Sequence, residues 1–340
     1  MVTGAAGSIG SELVRQLCKF SPNKIILLYC AETPLHLLRL EIEEKYPSVS
    51  ICPIIADVRS KQYCQKIVEA HRPSIIFHAA AYKHVPLMEE NPCEAVITNI
   101  MGSINMAELA KENGVRKFVM VSTDKAVNPT NVMGATKRAA EMYVQSLDHC
   151  LKQSGENSTR FVTTRFGNVL GSNGSVVPRF REQIAKGGPV TVTHPEIVRF
   201  FMTIPEACRL VLQAATMGQG GEIFVFDMGE SIKIDRLARR MIQLSGLTPD
   251  EDIKVEYTGL RPGEKLYEEV LSSAESTTES PHHKIRIAHA IDNTFDNICH
   301  QATKLIKFAI ARDQEAAIIA LKTLVPEFKS KNSPFEKYDK

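Results

Sequence analysis

Short apolar runs alternate with longer amphipathic segments in the first half of the chain. Apolar runs without polar alternation predict strands that are covered on both faces. Apolar residues that recur every three or four positions predict helices. The predicted strands are residues 25–29, 50–55, 74–78, 118–122 and 161–165. The predicted helices are residues 11–20, 34–45, 61–70, 91–113 and 134–153. This order predicts an α/β fold with a doubly wound parallel sheet.

The regular alternation ends after residue 166. Glycine-rich loops follow, and the later predicted elements are a helix at 203–217, a strand at 222–227 that rejoins the main sheet, a helix at 231–245, a strand at 253–257 and a helix at 298–324. We therefore divide the chain into a main domain, 1–166, a smaller carboxy-terminal lobe, 167–328, and a polar tail, 329–340.

The composition is that of an ordinary folded protein. Hydrophobic residues make up 44% of the 340 positions and charged residues 24%, which argues against a disordered or fibrous chain. The net charge of +2 is too balanced for a nucleic-acid-binding protein. The eight cysteines form no C-x-x-C pair, which argues against a zinc site or a disulfide framework. Without an apolar run of membrane-spanning length or a signal peptide, we expect a cytoplasmic chain with no membrane contact and no metal.

A glycine-rich turn lies at the start of the chain. Gly4, Gly7 and Gly10 have the spacing G-x-x-G-x-x-G, with Ser8 and Ile9 between them, and a helix is predicted from about residue 11. Glycine lets the backbone approach a pyrophosphate, and the helix start offers free N–H groups to the anion. An ordinary flexible turn is the alternative, but the helix and strand that follow favour a dinucleotide site.

The strand before this turn is short. Only Met1, Val2 and Thr3 precede Gly4, whereas a strand of about five or six residues normally leads into such a turn. We therefore expect this chain to be an amino-terminally truncated piece of a longer protein, or to start at a misassigned methionine.

The residues at the ends of the predicted strands 25–29 and 50–55 indicate which dinucleotide cofactor the chain would bind. Tyr29 stands where an acid normally binds the adenosine ribose, and Glu32 comes three residues later. No arginine follows to bind a 2′-phosphate, so the pattern favours NAD over NADP. Asp57 and Val58 are candidates for the adenine edge, and a helix cap is the alternative for Asp57.

Two strand ends supply the candidate chemistry. The fourth strand ends in small residues that leave room for a cofactor, Ala79, Ala80 and Ala81. The fifth ends in Ser122, Thr123, Asp124 and Lys125, which combine hydroxyl, acid and amine groups. A capped turn with a surface ion pair is the alternative for this second group.

Several long segments together resemble the nucleotide-sugar 4,6-dehydratases of bacterial polysaccharide biosynthesis, which are extended short-chain dehydrogenase/reductases. The resemblance covers nearly the whole chain except its start and its last few residues. The matching segments are residues 4–10, 79–87, 122–129, 133–138, 166–176 and 261–265.

Within this family, the chain most resembles the branch that acts on UDP-N-acetylglucosamine and retains configuration at C5. Most short-chain dehydrogenases carry Tyr-x-x-x-Lys, but here Met133 replaces the tyrosine while Lys137 remains. A thioether cannot exchange a proton, so Met133 cannot be the base. The same substitution resembles that of large membrane-anchored dehydratases, which implies a membrane region outside this chain and a position at the cytoplasmic face of the inner membrane.

The resemblance also implies a mechanism, in which tightly bound NAD oxidises C4 of a UDP-sugar and returns the hydride to C6. Lys125 is then the base at C5, provided that burial and Lys137 lower its pKa. Asp124 is the acid that protonates the leaving hydroxyl, and Thr123 hydrogen-bonds the C4 oxygen. The acceptor of the C4 hydroxyl proton stays open between Asp124 and a water relayed to Lys137.

Further residues complete the expected site. Ser122 and Asn99 are assigned to the cofactor site, with Asn99 tethering the active-site backbone, and a hydrogen bond along its helix face is the alternative for Asn99. The candidates for the substrate are Lys83, His84, Asn168, Arg199 and Arg261. Arginine suits phosphate oxygens through its bidentate fork, and a surface ion pair is the alternative for either arginine.

Two other functions stay open. A related epimerase or C5-inverting dehydratase would share most of these motifs, although the inverting branch keeps the tyrosine. An NAD-binding protein that has lost catalysis would explain Met133 and Tyr29, but it would not explain the retention of Asp124, Lys125 and Lys137. The superfamily also commonly forms homo-oligomers.

Overall fold

The structure is a computed structural model, and it describes residues 1–155, 159–271, 275–288 and 294–339. Its strands are β1 (Val2–Thr3), β2 (Ile25–Tyr29), β3 (Ile51–Ile55), β4 (Ile75–His78), β5 (Lys117–Val121), β6 (Arg160–Arg165), β7 (Asn168–Leu170), β8 (Val190–Val192), β9 (Val198–Arg199), β10 (Phe201–Thr203), β11 (Ile223–Phe226), β12 (Ile232–Lys233), β13 (Val255–Tyr257), β14 (Thr277–Glu279) and β15 (Ile285–Ala288).

The α-helices are α1 (Ser8–Cys18), α2 (Glu32–Lys45), α3 (Lys61–His71), α4 (Val85–Glu90), α5 (Pro92–Ala95), α6 (Gly102–Glu112), α7 (Val132–Gln153), α8 (Val176–Ala185), α9 (Ile204–Met217), α10 (Ile234–Leu244), α11 (Phe295–Ile310) and α12 (Gln314–Leu324). A π-helix spans Val96–Met101, and 3₁₀-helices span Asp124–Ala126 and Pro334–Tyr338.

Nine of the described strands form one sheet in the order β3-β2-β1-β4-β5-β6-β11-β15-β14. The first seven in this order run parallel, while β15 is antiparallel to β11 and β14 is antiparallel to β15. The predicted doubly wound parallel sheet is confirmed, and residues 222–227 do supply a strand, β11, to the main sheet. The two-residue β1 lies between β2 and β4.

Both faces of the sheet are covered, as the unbroken apolar runs predicted. Within β2, Ile26 and Leu28 belong to the apolar core that contains α6, α7, α11 and α12, whereas Ile25 and Leu27 belong to the core that contains α1, α2 and α9. Alternate residues of a strand point to opposite faces, so a strand buried on both sides needs apolar residues throughout.

Several helix boundaries differ from the predictions. The glycine-rich turn leads into α1 at Ser8 rather than near residue 11, and the Ser11 N–H already donates to the Gly7 carbonyl oxygen over 2.8 Å. The segment 91–113 contains α5, the π-helix and α6 in succession. The predicted helix 298–324 is two helices, because Arg312 adopts a positive φ of 62° and turns the chain between them.

The segment 167–328 lies in two places. A lobe with its own apolar cluster is formed by α8, β8, β13 and α10, and this cluster includes Phe180, Val190, Ile234 and Ile253. By contrast, α9 packs against α1, and α11 and α12 pack against α7 in the main domain. The predicted boundary at residue 166 therefore divides the sequence, but parts of the segment after it pack in the main domain and not in the lobe.

The segment 329–339 packs against the main domain despite its polar sequence. The Lys331 N–H donates to the Thr130 carbonyl oxygen over 3.2 Å, and the Gly263 N–H donates to the Lys331 carbonyl oxygen over 2.7 Å. The Ser333 hydroxyl donates to Glu89 over 2.6 Å. These bonds join the last segment to the loop before α7 and to the turn at 261–264.

Among the described helices, none has both the length and the apolar character that a bilayer crossing requires.

Candidate functional site

A large cleft lies between the carboxyl ends of the parallel strands and the lobe, with a volume of about 740 Å³. Open α/β sheets bind ligands at this edge. The structure brings most of the predicted site residues together in its wall: Gly4, Gly7, Ser8, Ile9, Gly10, Asp57, Val58, Ala79, Ala80, Ala81, Lys83, His84, Ser122, Thr123, Lys125, Met133, Lys137, Asn168, Arg199 and Arg261. Asn99 and Asp124 lie behind this wall, and both are fully buried.

The glycine turn can accept little side-chain volume. Gly4 has a φ of +68°, and a Cβ atom there would lie 2.7 Å from the Ala79 carbonyl oxygen. A Cβ atom at Gly10 would lie 2.1 Å from the Gly4 carbonyl oxygen. No side chain caps the start of α1, so its first N–H groups face the cleft without an intrahelical partner. This cradle fits the pyrophosphate of a dinucleotide.

Asp57 lies after β3 and is bound by Arg59, two positions later in the chain. The Arg59 backbone N–H donates to Asp57 Oδ1 over 2.9 Å, and Arg59 Nε donates to Oδ2 over 2.8 Å. Burial raises the pKa of Asp57, but the hydrogen bonds from Arg59 outweigh it and leave the pKa below its ordinary value. The alternative role of Asp57 as a helix cap is wrong, because Ser60 occupies the N-cap position of α3.

Asn99 tethers the backbone and does not contact the cleft. Its Oδ1 accepts from the Tyr82 N–H over 2.8 Å, and its Nδ2 donates to the Tyr82 carbonyl oxygen and to Thr136 Oγ1, each over 3.0 Å. These bonds confirm the predicted tethering of the active-site backbone by Asn99, and its assignment to the cofactor site stays a prediction. The residue fastens the loop after β4 to α7.

Thr123, Asp124 and Lys125 form a hydrogen-bonded triplet where β5 ends. Thr123 Oγ1 donates to Asp124 Oδ1 over 2.8 Å, and Lys125 Nζ donates to the same oxygen over 3.0 Å. Lys125 Nζ also donates to Asn168 Oδ1 over 3.0 Å. The second carboxylate oxygen of Asp124 is buried and has no hydrogen-bond partner among the described residues.

The pKa of Lys125 differs in direction from our expectation. Burial lowers this pKa, but the negative charges of Asp124 and Glu268 outweigh burial, so the pKa is raised. Lys125 is therefore an ammonium ion near neutral pH in this structure. Our expectation of a lowered pKa overlooked the second carboxylate, which comes from a segment 143 positions further along the chain (268 − 125).

Met133 and Lys137 lie on the first turns of α7. A Cβ atom at Gly134 would lie 2.1 Å from the Lys125 carbonyl oxygen, so this glycine lets α7 pack directly on the triplet. Lys137 Nζ donates to the Val121 carbonyl oxygen over 2.8 Å. Burial lowers the pKa of Lys137 to about 8. The lysine of the Tyr-x-x-x-Lys pattern thus retains a position at the cleft, and the buried Met133 occupies the place of the tyrosine.

Cationic side chains line the end of the cleft next to the lobe. Lys83 Nζ donates to Ser172 Oγ over 3.3 Å, and burial lowers the pKa of Lys83. Burial, followed by the charges of Lys83 and Arg261, lowers the pKa of His84. Arg261 is half-exposed, while Arg199 is buried and donates to the Val198 carbonyl oxygen over 2.7 Å.

The sequence analysis missed Glu268 and Arg59, although both line the cleft. Arg59 follows Asp57 by two positions and could have been found from that proximity. Glu268 lies in a segment without regular secondary structure, where no periodicity indicates which side chain points inward.

Comparison with known proteins gives the family. A family model described as "Polysaccharide biosynthesis protein" matches residues 1–290. A capsular polysaccharide biosynthesis protein, CapD, of Staphylococcus aureus is 54% identical over 302 residues, which cover 88% of this chain and 49% of that protein. The probable polysaccharide biosynthesis protein EpsC of Bacillus subtilis is 51% identical over 293 residues, which cover 86% of this chain and 48% of EpsC. This chain thus spans about half the length of these two relatives.

A UDP-N-acetylglucosamine 4,6-dehydratase (inverting) of Campylobacter jejuni is 37% identical over 278 residues, which cover 81% of this chain and 78% of that enzyme.

Solved structures agree on the fold. Pen from Bacillus thuringiensis has a TM-score of 0.77 at 34% identity and covers 85% of this chain and 87% of its own. DesIV of Streptomyces venezuelae, a dTDP-glucose 4,6-dehydratase with NAD bound, has a TM-score of 0.67 at 20% identity. The match covers 78% of this chain and 85% of the DesIV chain. The chain therefore belongs to the polysaccharide biosynthesis protein family of the extended short-chain dehydrogenase/reductases.

Proposed function

We propose that this chain is the catalytic part of an NAD-dependent UDP-N-acetylglucosamine 4,6-dehydratase that retains configuration at C5. The observation that carries the proposal is the Thr123–Asp124–Lys125 triplet beside Met133 and Lys137, in which Thr123 and Lys125 line the cleft and Asp124 is buried behind them. The related dehydratase of Campylobacter jejuni supports the substrate class. Met133 favours the retaining branch, because the inverting branch keeps a tyrosine at this position.

The residues of the cleft fit NAD. Gly4 and Gly10 let the turn pack closely against the Ala79 backbone and against itself, and the helix start supplies N–H groups to the pyrophosphate anion. Lys137 would hold the nicotinamide ribose. When bound, NAD would supply a reversible hydride acceptor for C4 oxidation and C6 reduction, with no net consumption of cofactor.

The triplet offers a path for the C4 hydroxyl proton. Thr123 donates its own hydrogen to Asp124 and accepts from the Lys125 backbone N–H over 3.4 Å, so one lone pair of Thr123 Oγ1 remains to accept from the sugar hydroxyl. The proton moves from O4 to Thr123 while the Thr123 proton moves to Asp124. This path favours Asp124 over Lys137, the other candidate acceptor, because Lys137 Nζ is bound to the Val121 carbonyl oxygen.

The same transfer prepares Lys125 for its role at C5. Protonation of Asp124 removes one of the two carboxylate charges that raise the pKa of Lys125. The pKa of Lys125 then falls, so that the ammonium group can release a proton to solvent through the cleft. The resulting neutral amine can remove the C5 proton that the adjacent ketone has acidified. Asp124 passes its proton to the C6 hydroxyl, which leaves as water. Lys125 finally returns a proton to C5 and takes up another from solvent, so Lys125 ends as an ammonium ion and Asp124 as a carboxylate, as they began.

Cations at the lobe end of the cleft fit the diphosphate of a UDP-sugar. The cations Lys83, Arg199 and Arg261 line this region, and His84, whose pKa is lowered, places a neutral imidazole beside them. Arginine can bind phosphate oxygens with two parallel hydrogen bonds. We propose that these residues anchor the nucleotide while the triplet acts on the hexose.

The proposal is tested by incubating the protein with UDP-N-acetylglucosamine and NAD. A dehydratase gives a 4-keto product that has lost one water, whereas an epimerase gives an isomer of unchanged mass. A protein that has lost catalysis gives neither and would overturn the proposal. In deuterated water, Lys125→Ala should stop incorporation of deuterium at C5 while NAD stays bound, and normal incorporation would refute the base assignment.

A further inference from the structure

Glu268 places a second buried carboxylate beside the catalytic triplet. Its side chain is only 4% exposed and lies in the wall of the cleft. Glu268 Oε1 lies 3.6 Å from Lys125 Nζ and 3.8 Å from Arg199 Nε. The other oxygen, Oε2, is buried and has no hydrogen-bond partner among the described residues. One carboxylate oxygen therefore faces two cations that come from different parts of the fold.

We propose that Glu268 is a positioning residue that holds the ammonium group of Lys125 and the guanidinium group of Arg199 with one carboxylate oxygen. Lys125 follows β5 of the main domain, whereas Arg199 ends β9 beside the lobe. Glu268 thereby joins the group that acts on the sugar ring to a group that faces the nucleotide. The catalytic role of Lys125 rests on the proposed function, but the contacts of Glu268 do not.

The geometry argues against a purely structural role for Glu268. A carboxylate that stabilises a fold is normally satisfied by close hydrogen bonds, because an ion left without partners in the interior costs several kcal/mol. Both cation contacts of Glu268 are longer than a hydrogen bond, and one oxygen is left over. Such an arrangement acts on Lys125 through charge at short range, while Asp124 and Asn168 accept the hydrogen bonds of Lys125 Nζ.

Three charged groups act on Lys125. Asp124, next to it in the chain, and Glu268, from the segment at 261–271, favour the charged amine, whereas Arg199 opposes them. Replacing Glu268 with glutamine would leave Asp124 and Arg199 acting in opposite directions. An opposite charge within about 4–6 Å typically shifts a pKa by about one unit or more. We therefore expect the pKa of Lys125 to fall by about one unit in Glu268→Gln.

Trace acetylation across pH 7–10 measures the pKa of Lys125 directly, because only the neutral amine reacts with the acetylating reagent. The modification of the Lys125 peptide is quantified by mass spectrometry in the 340-residue chain. In Glu268→Gln, Lys125 should react about tenfold faster at pH 8 than in the unmodified protein. Glu269→Gln is the matched control, since Glu269 is 53% exposed and pairs with Lys265 at 3.5 Å. Overlapping profiles for Glu268→Gln and the unmodified protein would overturn the proposal.

A second variant guards against misfolding of the first. Glu268→Asp keeps the charge but withdraws it by one methylene group, so a smaller shift in the same direction is expected. An unchanged Lys125 profile in a folded Glu268→Asp protein would equally overturn the proposal. The labelling requires no turnover, so a shifted profile in a protein that fails to convert UDP-N-acetylglucosamine would refute the proposed function and still support the role of Glu268.

Discussion

Two buried groups of charged residues lie close to α7, and they differ in how fully their polar atoms are paired. The core cluster contains Arg138, Glu141, Arg165, Glu275 and Glu327. The active-site cluster contains Asp124, Lys125, Arg199 and Glu268.

In the core cluster, Arg165 donates to both oxygens of Glu141 over 3.2 and 2.7 Å and also binds Glu275. In the active-site cluster, one oxygen of Asp124 and one of Glu268 have no partner among the described residues.

This difference in pairing suits the core cluster to a structural role and the active-site cluster to a chemical role. Fully hydrogen-bonded ion pairs fix side chains in one arrangement, and removing one partner is costly. Unpaired buried oxygens cost stability and are rare in folded proteins, so their presence needs a reason. The proposed function supplies a reason, because Asp124 and Lys125 must be able to exchange protons that fully paired groups would retain.

The largest expected effect comes from the active-site cluster. Asp124→Asn keeps the shape of the side chain but removes its capacity to take and return a proton. Because positioned acid–base groups contribute about 10²–10⁴-fold, we expect dehydratase activity to fall about 10³-fold. Steady-state assays with UDP-N-acetylglucosamine measure the loss, and retention of NAD serves as the control. A loss of less than tenfold would show that another group carries the proton.

The next largest effect is expected from a substitution that disrupts the core cluster. Arg165→Met removes a fully buried cation and leaves Glu141 and Glu275 with one partner fewer. We expect the free energy of unfolding to fall by about 3–5 kcal/mol, as measured by urea denaturation. Activity per folded molecule should stay within a fewfold of the unmodified protein. A stable Arg165→Met protein without activity would mean that the two clusters are not functionally separate.

A smaller effect concerns Lys137, which lies on α7 between the clusters. Burial lowers its pKa to about 8, so the folded state binds fewer protons than the unfolded state between about pH 8 and the ordinary lysine pKa of about 10.4. Stability rises with pH where the unfolded state binds more protons. The unfolding free energy of the unmodified protein, relative to Lys137→Met, should therefore rise by about 1.4 kcal/mol per pH unit in this window. A flat difference would show that Lys137 titrates normally.

The smallest effect tests the space around the unpaired oxygen of Asp124. A Cβ atom at Gly167 would lie 3.0 Å from Asp124 Oδ2 and 3.2 Å from the Met228 methyl carbon. Gly167→Ala should displace the carboxylate by a few tenths of an ångström and lower kcat by about tenfold, since small misplacements of catalytic groups are costly. The KM for UDP-N-acetylglucosamine should change little. A larger change in KM than in kcat would place Gly167 in substrate binding instead.

Much of the fold could be predicted from local patterns. Strand β2 was predicted with the bounds that it has, and the segments that became β5, β6 and β11 were predicted to within a residue or two. Such segments are readable because burial on both faces demands an unbroken apolar run. The assembly of the cleft was predictable as well, because the carboxyl ends of parallel strands meet at one edge of the sheet. Thr123, Lys125 and Ala79 follow strands, and the cleft contains all three.

The amino-acid sequence by itself therefore determined the sheet, the glycine cradle and the triplet, because each depends on neighbours within a few positions. Only the tertiary structure decided the charge state of Lys125 and the partners through which Asn99 tethers the backbone. Both depend on which distant groups lie within a few ångströms, and Glu268 reaches the triplet from a segment with no periodic pattern. Coulombic and hydrogen-bond energies follow distance in space, which residue spacing along an irregular segment does not encode.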